Sequence, residues 1–409
     1  MRLSKTAAFY LQASIIVSFL AGSSAPTPLY PVYQASWGFS PVTITVIFGV
    51  YAVAVLTMLL VVGSLSDYIG RRPVLFVAAL LQAVTMGMFV AAHDVGMLVA
   101  ARVVQGLATG SAAAAVGAGM VDIDRQKGTT ANAVGPMLGT ATGGLLSGLL
   151  VQYLPAPTKL VYVVLGVVFV LQAAGVVVMP ESVSRRPGAL ASLRPHFRLP
   201  AKVREPMLLA VPALVGAWSL VGFYGALGPM LVRRLSGSTS LALGGVVLFV
   251  LASSGAWTVL ATRARPPQVV MAFGMAALVA GVGTTLLALH DRSMTVFFAG
   301  LVIAGAGFGA GFQGAIRSVL LVAEPDARAG VLSILYVVAY LAMGVPAVLG
   351  GLRLVHGPGL FATAQEYGLV VMSLAALALA GSVLRGADVH AAGARLLRGR
   401  RRPSSSLGS

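Results

Sequence analysis

Apolar residues fill nearly the whole chain in long runs separated by short polar or charged turns. Twelve such runs stand at 8–33, 41–65, 73–92, 96–120, 129–152, 158–180, 206–232, 239–262, 267–289, 293–320, 329–353 and 365–384. At 1.5 Å per residue, each is long enough to cross the roughly 30 Å hydrocarbon layer of a bilayer as a helix. Backbone amides in lipid must be satisfied within their own segment, and these runs are too long and continuous for barrel strands. The pattern predicts an all-α membrane protein with twelve transmembrane helices.

Composition sharpens that reading. Only 10% of residues are charged and 58% are hydrophobic, with a mean hydropathy of +0.92, whereas a soluble globular domain carries about 25% charged residues. The first run follows Met1-Arg2-Leu3-Ser4-Lys5 and imitates a signal peptide, with Ala21 to Ala25 as a small-residue cleavage site. Pro26 would follow such a cut and the run continues through Tyr33, so the segment is read as a retained span. The absence of cysteine excludes disulfides, thiolate metal sites and cysteine nucleophiles. His93, His196, His290, His356 and His390 are scattered without carboxylate pairing, so no metal site and no cofactor is expected. Gly305, Gly307, Gly309 and Gly311 imitate a nucleotide loop but have no preceding strand and no Walker lysine; they read as helix-packing residues.

The formal charge of +17 comes from 24 Arg and 4 Lys against 11 acids. With a cytoplasmic N-terminus, 22 of the 28 basic residues fall on the cytoplasmic side, five fall outside (Lys159, Arg233, Arg234, Arg292 and Arg353), and Arg102 lies within span four. The positive-inside rule then predicts both termini in the cytoplasm, and topology explains the charge without a nucleic-acid partner. The longest connection, 181–205, carries Arg185, Arg186, Arg194, Arg198, Lys202 and Arg204 around three prolines. It divides the chain into an N-terminal six-helix bundle (1–180), a cytoplasmic linker (181–205), a C-terminal six-helix bundle (206–385) and a basic tail (386–409) expected to be disordered. Linker and tail suit anionic lipid headgroups.

Between spans two and three stands G-S-L-S-D-Y-I-G-R-R-P, Gly63 to Pro73. Its glycines permit a tight turn, Asp67 can pair with an arginine, and Arg71 and Arg72 can bridge carboxylates. This turn resembles the loop signature of the major facilitator superfamily, matched at Gly63, Leu65, Asp67, Gly70, Arg71 and Arg72, with Tyr68 where the family often has Arg. The resemblance implies two pseudo-symmetric six-helix bundles that move by alternating access, with this turn latching the cytoplasmic side in one state and releasing it in the other. Arg102-Val103-Val104-Gln105-Gly106 is similar to the family's R-x-x-x-G element, whose Arg is associated with proton coupling or substrate handling. A buried Arg costs several kcal/mol unless it meets a partner or a water-filled cavity; the alternative is snorkelling to the outer interface.

Span five carries Gly135, Pro136, Gly139, Gly143, Gly144 and Gly148, a ladder that lets helices approach closely and bend. It partly resembles the family's antiporter motif: Gly143 and Gly148 match, Gly144 replaces a proline and Ser147 a glycine. Pro26, Pro28 and Pro31 break the outer end of span one, as in drug-efflux members of the family; a kink needed only for packing is the alternative. Asp124-Arg125 after span four has a counterpart in Glu324 to Arg328 after span ten, which supports two related halves. The second copy of the loop signature, Leu260 to Pro267, keeps Arg263 and Arg265 but no acid, so the gate is expected to be asymmetric.

The resemblance places a substrate cavity between the halves, lined by spans one, four, seven and ten. Polarity and position nominate Ser23, Ser24, Thr27 and Tyr30 from span one, Arg102 and Gln105 from span four, Trp218 and Tyr224 from span seven, and Gln313 from span ten. No Asp, Glu, Lys or His lies well inside a span, so a cationic solute would find no buried counter-ion and proton coupling has no obvious titrating group. The expected function is secondary transport of a small neutral, amphipathic or anionic molecule, with efflux by proton antiport implied by the resemblance. Uptake by symport or uniport, or ligand reception without transport, are the alternatives; no nucleophile, acid pair or metal site in the membrane points to an enzyme. The Arg-rich, Lys-poor composition fits a GC-rich bacterial genome, hence a bacterial cytoplasmic membrane, and a monomer is expected.

Overall fold

The computed structural model describes residues 2–194, 199–324 and 327–400, with side chains described through Leu384. Among the described residues there is no strand and there are twelve helices long and apolar enough to cross a membrane. Spans one to six are Lys5–Trp37, Pro41–Val62, Arg71–Ala91, Val95–Ile123, Arg125–Tyr153 and Leu160–Val178. Spans seven to twelve are Ala201–Ser236, Ala242–Thr262, Pro267–Asp291, Met294–Val322, Arg328–His356 and Leu360–Leu384. The tail expected at 386–409 lies outside the residues with described side chains, as do Pro325 and Asp326 of the expected repeat.

Polar side chains start several of these helices where the hydrophobic runs begin. Asp94 accepts from the Met97 amide at 2.8 Å and Asp124 from the Lys127 amide at 2.9 Å, which satisfies amides that have no partner in a first turn. Span one is broken: a short 3-10 segment, Thr27–Leu29, separates Lys5–Ser24 from Tyr30–Trp37. Pro26, Pro28 and Pro31 lack the amides that would continue the ladder, which accounts for the break. Span seven starts at Ala201 rather than 206, so the last residues of the expected linker are helical.

Two large apolar cores form, one mainly from spans one to six and one mainly from spans seven to twelve. A small third cluster, with Met137, Ala217, Ala256 and Phe308, joins them. The two cores are held differently. In the second, spans nine and ten touch backbone to backbone, with Gly274 against Gly311, Gly281 against Ala304, and Gly307 so close to Leu278 that an added Cβ would lie 2.5 Å from its amide nitrogen. Helices in lipid gain no hydrophobic drive to associate, so close approach through small residues supplies the contact area. In the first core, glycine contacts such as Gly110 on the Val55 carbonyl are joined by buried polar groups that bridge helices: Ser18 donates to Gln172 Oε1 at 2.9 Å and Gln172 Nε2 donates to Ser14 Oγ at 3.1 Å.

The Gly63–Arg72 turn and the 181–194 connection lie on one face of the molecule, here the linker face. On the opposite, far face the bundles meet. Gly344 packs against Gly49 and Ala52, Gly351 against Thr45, and Gly245 against the Gly144 carbonyl; the Leu241 amide donates to Gln152 Oε1 at 2.8 Å. The molecule is therefore sealed on the far face and open on the linker face.

Candidate functional site

Between the bundles lies a cavity of about 610 Å³ that reaches from the centre of the molecule to the linker face, where Gly63, Ser64, Asp67 and Arg194 line its mouth. Its inner wall is largely aromatic. Trp218 of span seven stands edge-on to Phe312 at 5.2 Å and to Phe308 at 6.0 Å, and tilts against Tyr340 at 5.3 Å. Phe48 and Tyr51 of span two and Tyr336 of span eleven extend the wall. Phe308 and Phe312, like Tyr336 and Tyr340, are four residues apart, which places each pair on one helix face.

Two buried polar atoms on this wall have no hydrogen-bond partner: the Trp218 indole nitrogen and Asn132 Oδ1. The other side of the Asn132 amide is committed, since Nδ2 donates to the Gly117 carbonyl at 2.8 Å. Leaving such groups unpaired costs about 1–3 kcal/mol each. These atoms lie just behind the cavity surface, with almost no exposed area, so the wall that a solute meets is mainly apolar. Asp67 and Arg194 are the charged residues among the described lining side chains.

The nominated residues divide. Ser23, Ser24 and Thr27 of span one, Trp218 and Gln313 line the cavity. Tyr30, Arg102, Gln105, Gly106 and Tyr224 do not. Arg102 is fully buried within the first bundle: Nε donates to the Tyr30 hydroxyl at 3.1 Å, Nη1 to the Ser23 carbonyl at 2.8 Å and to Gln105 Oε1 at 2.6 Å. Its guanidinium also lies 5.3 Å from the ring centroid of Tyr51 and 5.9 Å from that of Phe89. The expectation that Arg102 meets a solute is corrected on this point, because its donors are consumed by helix packing; snorkelling is corrected too, because the side chain is 0% exposed. Gln105 completes the same cluster by donating to the Gly22 carbonyl at 2.9 Å. Gly106 lets span four touch span two, where a Cβ would lie 2.8 Å from the Tyr51 carbonyl. Tyr224 packs on Phe223 and Phe297, inside the second bundle.

The loop signature folds into one cluster on the linker face. Arg71, nearly buried, binds Asp67 at 2.5 Å, Asp122 at 3.3 Å and the Ser66 hydroxyl at 2.6 Å. The Arg71 and Arg72 amides donate to the two oxygens of the Glu181 carboxylate at 2.8 and 3.0 Å, and the Arg72 guanidinium reaches the Val176 and Val177 carbonyls at the end of span six. Gly70 has φ of +101°, which other residues rarely adopt, and a Cβ there would collide with that carboxylate. Leu65 is half-buried in the same turn, and Gly63 ends span two. The ladder glycines Gly139 and Gly143 accept the Val17 and Ala21 carbonyls of span one against their backbone, and Gly148 meets Ala242 of the other bundle.

The wall residues of spans two, five, eight and eleven fall outside the spans that the resemblance assigns to the cavity, and Phe308 and Phe312 of span ten are not polar, so polarity does not single them out. The signal was present: aromatic pairs spaced by three or four residues in otherwise aliphatic spans. Asp122 and Glu181 are not evident from sequence as partners of Arg71, because 51 and 110 residues separate them from it.

No curated protein sequence matches the chain. Among solved structures, a variant of the nucleoside transporter NupG superposes with a TM-score of 0.70 at 11% identity, covering 92% of this chain and 99% of that one. The human organic anion transporter MFSD10 (TETRAN) gives a TM-score of 0.66 at 18% identity, covering 93% and 100%. Both share the fold. The family model of the Major Facilitator Superfamily matches residues 13–348, most of the chain, and the protein belongs to that superfamily of membrane transporters.

Proposed function

We propose that this transporter exports a neutral, amphipathic organic molecule with a planar aromatic or heteroaromatic group, by alternating access between the two bundles. The observation that carries this reading is the cavity wall: an aromatic surface with the unpartnered Trp218 indole N–H and Asn132 carbonyl oxygen. Ring faces bind planar groups, and the two orphan atoms, just behind the wall, would offer one donor and one acceptor to a solute after a small side-chain shift. The nucleoside and organic anion transporters that share the fold move small molecules, as proposed here, and the solute class rests on the cavity wall alone.

The positive-inside rule makes the linker face cytoplasmic, so the cavity loads from the cytoplasm. Export also follows the resemblance of the proline-rich end of span one to efflux members. Proton antiport is the proposed drive; Asp67, the carboxylate among the described lining residues, is the group to test, although it is bound to Arg71.

The test is thermal stabilisation of the purified protein by a panel of neutral, anionic and cationic planar aromatics, followed by flux in vesicles with and without a proton gradient. Neutral compounds with a hydrogen-bond acceptor should raise the unfolding midpoint most. Stabilisation by cations alone would overturn the solute class, and flux indifferent to collapse of the gradient would remove antiport.

A further inference from the structure

The connection from Glu181 to Arg194 is fastened along its length to the first bundle. Ser182 Oγ donates to Asp122 at 3.0 Å, and the Ser64 hydroxyl donates to the Ser192 carbonyl at 2.9 Å. Between these points the fastener is Tyr68. The Arg186 amide donates to the Tyr68 carbonyl at 3.0 Å while the Arg186 guanidinium lies 4.4 Å from the centroid of the Tyr68 ring. At Gly188, with φ of +106°, the chain crosses the same ring, where a Cβ would approach Tyr68 Cε1 to 3.1 Å.

Tyr68 occupies the position at which the loop signature usually has an arginine. An arginine there would repel Arg186 and present no ring face, so the departure and the docked linker belong together. Docking has a further effect: it sets Arg194 on the wall of the cavity mouth. Asp67, the other charged lining residue described, is held by Arg71, which leaves Arg194 as the lining charge without an ion-pair partner among the described residues. Across the mouth, span eleven presents Ala329, Gly330, Leu332 and Ser333, all uncharged. A fixed charge at the rim of a low-dielectric cleft has its field focused along the cleft.

We propose that the docked linker makes the mouth a charge-selective entrance, in which Arg194 is the specificity-determining residue and Tyr68 positions it. Anionic and neutral solutes pass, and cations are slowed. This goes beyond the transport reading and does not depend on the identity of the solute.

The chain has no cysteine, so Ser333→Cys gives a single thiol inside the mouth without further change. The purified protein is treated with two thiol reagents of similar size, a sulfonate-bearing and a trimethylammonium-bearing methanethiosulfonate. The ratio of their rates is referred to the same ratio at Gln126→Cys in the exposed first turn of span five. Arg194 should favour the anionic reagent at Ser333→Cys by about threefold or more, the scale of one charge at roughly 10 Å in partly screened surroundings. Arg194→Gln should abolish the preference and Arg194→Glu should reverse it. Tyr68→Ala should weaken it as much as Arg194→Gln does, and Tyr68→Phe, which keeps the ring, should retain it. An unchanged ratio in both Arg194 variants overturns the entrance; an unchanged ratio in Tyr68→Ala overturns the positioning role.

Discussion

The two bundles have one architecture and both bring helices together at glycines, but they differ in the polar groups they bury. The first buries Arg102, Gln105, Gln172 and the Arg71 cluster, and its helices are joined by hydrogen bonds between named atoms. The second is joined where glycines let backbones touch, above all between spans nine and ten. Its copy of the loop signature shows the same contrast: the turn after span eight has no acid, and Arg317 Nη2 donates to the Arg265 carbonyl at 3.2 Å where the first bundle has an ion-pair cluster. Directional bonds fix how helices are rotated and aligned, whereas small-residue contacts fix only how close they come. The comparison teaches that pseudo-symmetry of fold does not carry symmetry of energetics: the ion-pair cluster around Arg71 has no counterpart among the described residues of the second half.

The sharpest way to break this comparison is to thicken the second bundle. Gly281→Leu would drive a side chain into the Ala304 backbone and should abolish folded protein, while Gly87→Leu, which meets open space, should leave yield and monodispersity unchanged. Size-exclusion profiles of the two variants decide it.

Next in size is the polar staple of the first bundle. Arg102→Met keeps much of the volume but leaves Gln105 Oε1 and the Ser23 carbonyl without their donor. The expected net loss is about 2–4 kcal/mol, the range for breaking a buried network, read as a lowered thermal midpoint. Arg102→Lys should recover little of it, because an ammonium cannot reproduce the guanidinium fork across three acceptors.

A smaller effect is expected where the halves meet. Gly245→Val presses on Gly144 in the far-face seal but not on either core. Overpacking of about 1–3 kcal/mol in one conformer alone should shift the conformers by roughly 5- to 150-fold away from the linker-open form. Reactivity of Ser333→Cys would fall and that of Gln152→Cys at the far face would rise; no change in either would show that the seal does not set the balance.

The smallest expected effect is at the wall. Trp218→Phe keeps a ring against Phe312 and removes the orphan N–H. Affinity for an acceptor-bearing neutral aromatic should fall by about 2- to 10-fold, the worth of one hydrogen bond, while the thermal midpoint of the free protein stays the same or rises. Equal affinity in the two proteins would mean that the indole nitrogen is not part of the site.

The spans were legible because hydrocarbon thickness imposes length directly, and the break in span one because three prolines announce it. The latch turn was legible in its own eight residues but not in its partners, since Asp122 and Glu181 come from distant helix ends. Arg102 illustrates the limit. Its rarity marked it as important, yet its direction depends on Tyr30, Ser23 and Gln105 being on the same side, which polarity alone does not reveal. The aromatic wall could have been found by marking ring pairs at helical spacing, as at Phe308 and Phe312; choosing candidates by polarity passed over them. The docking of the linker on Tyr68 was not legible, because it joins residues 118 positions apart through a ring face and a carbonyl.

That docking has a mechanical consequence. With the chain secured as far as Ser192 and span seven starting at Ala201, the two halves are tied on the linker face by nine peptide steps. Fully extended, these span about 32 Å at most. The connection of 25 residues read from sequence thus acts as a short leash, and the swing of one bundle away from the other has a ceiling that does not depend on what is carried.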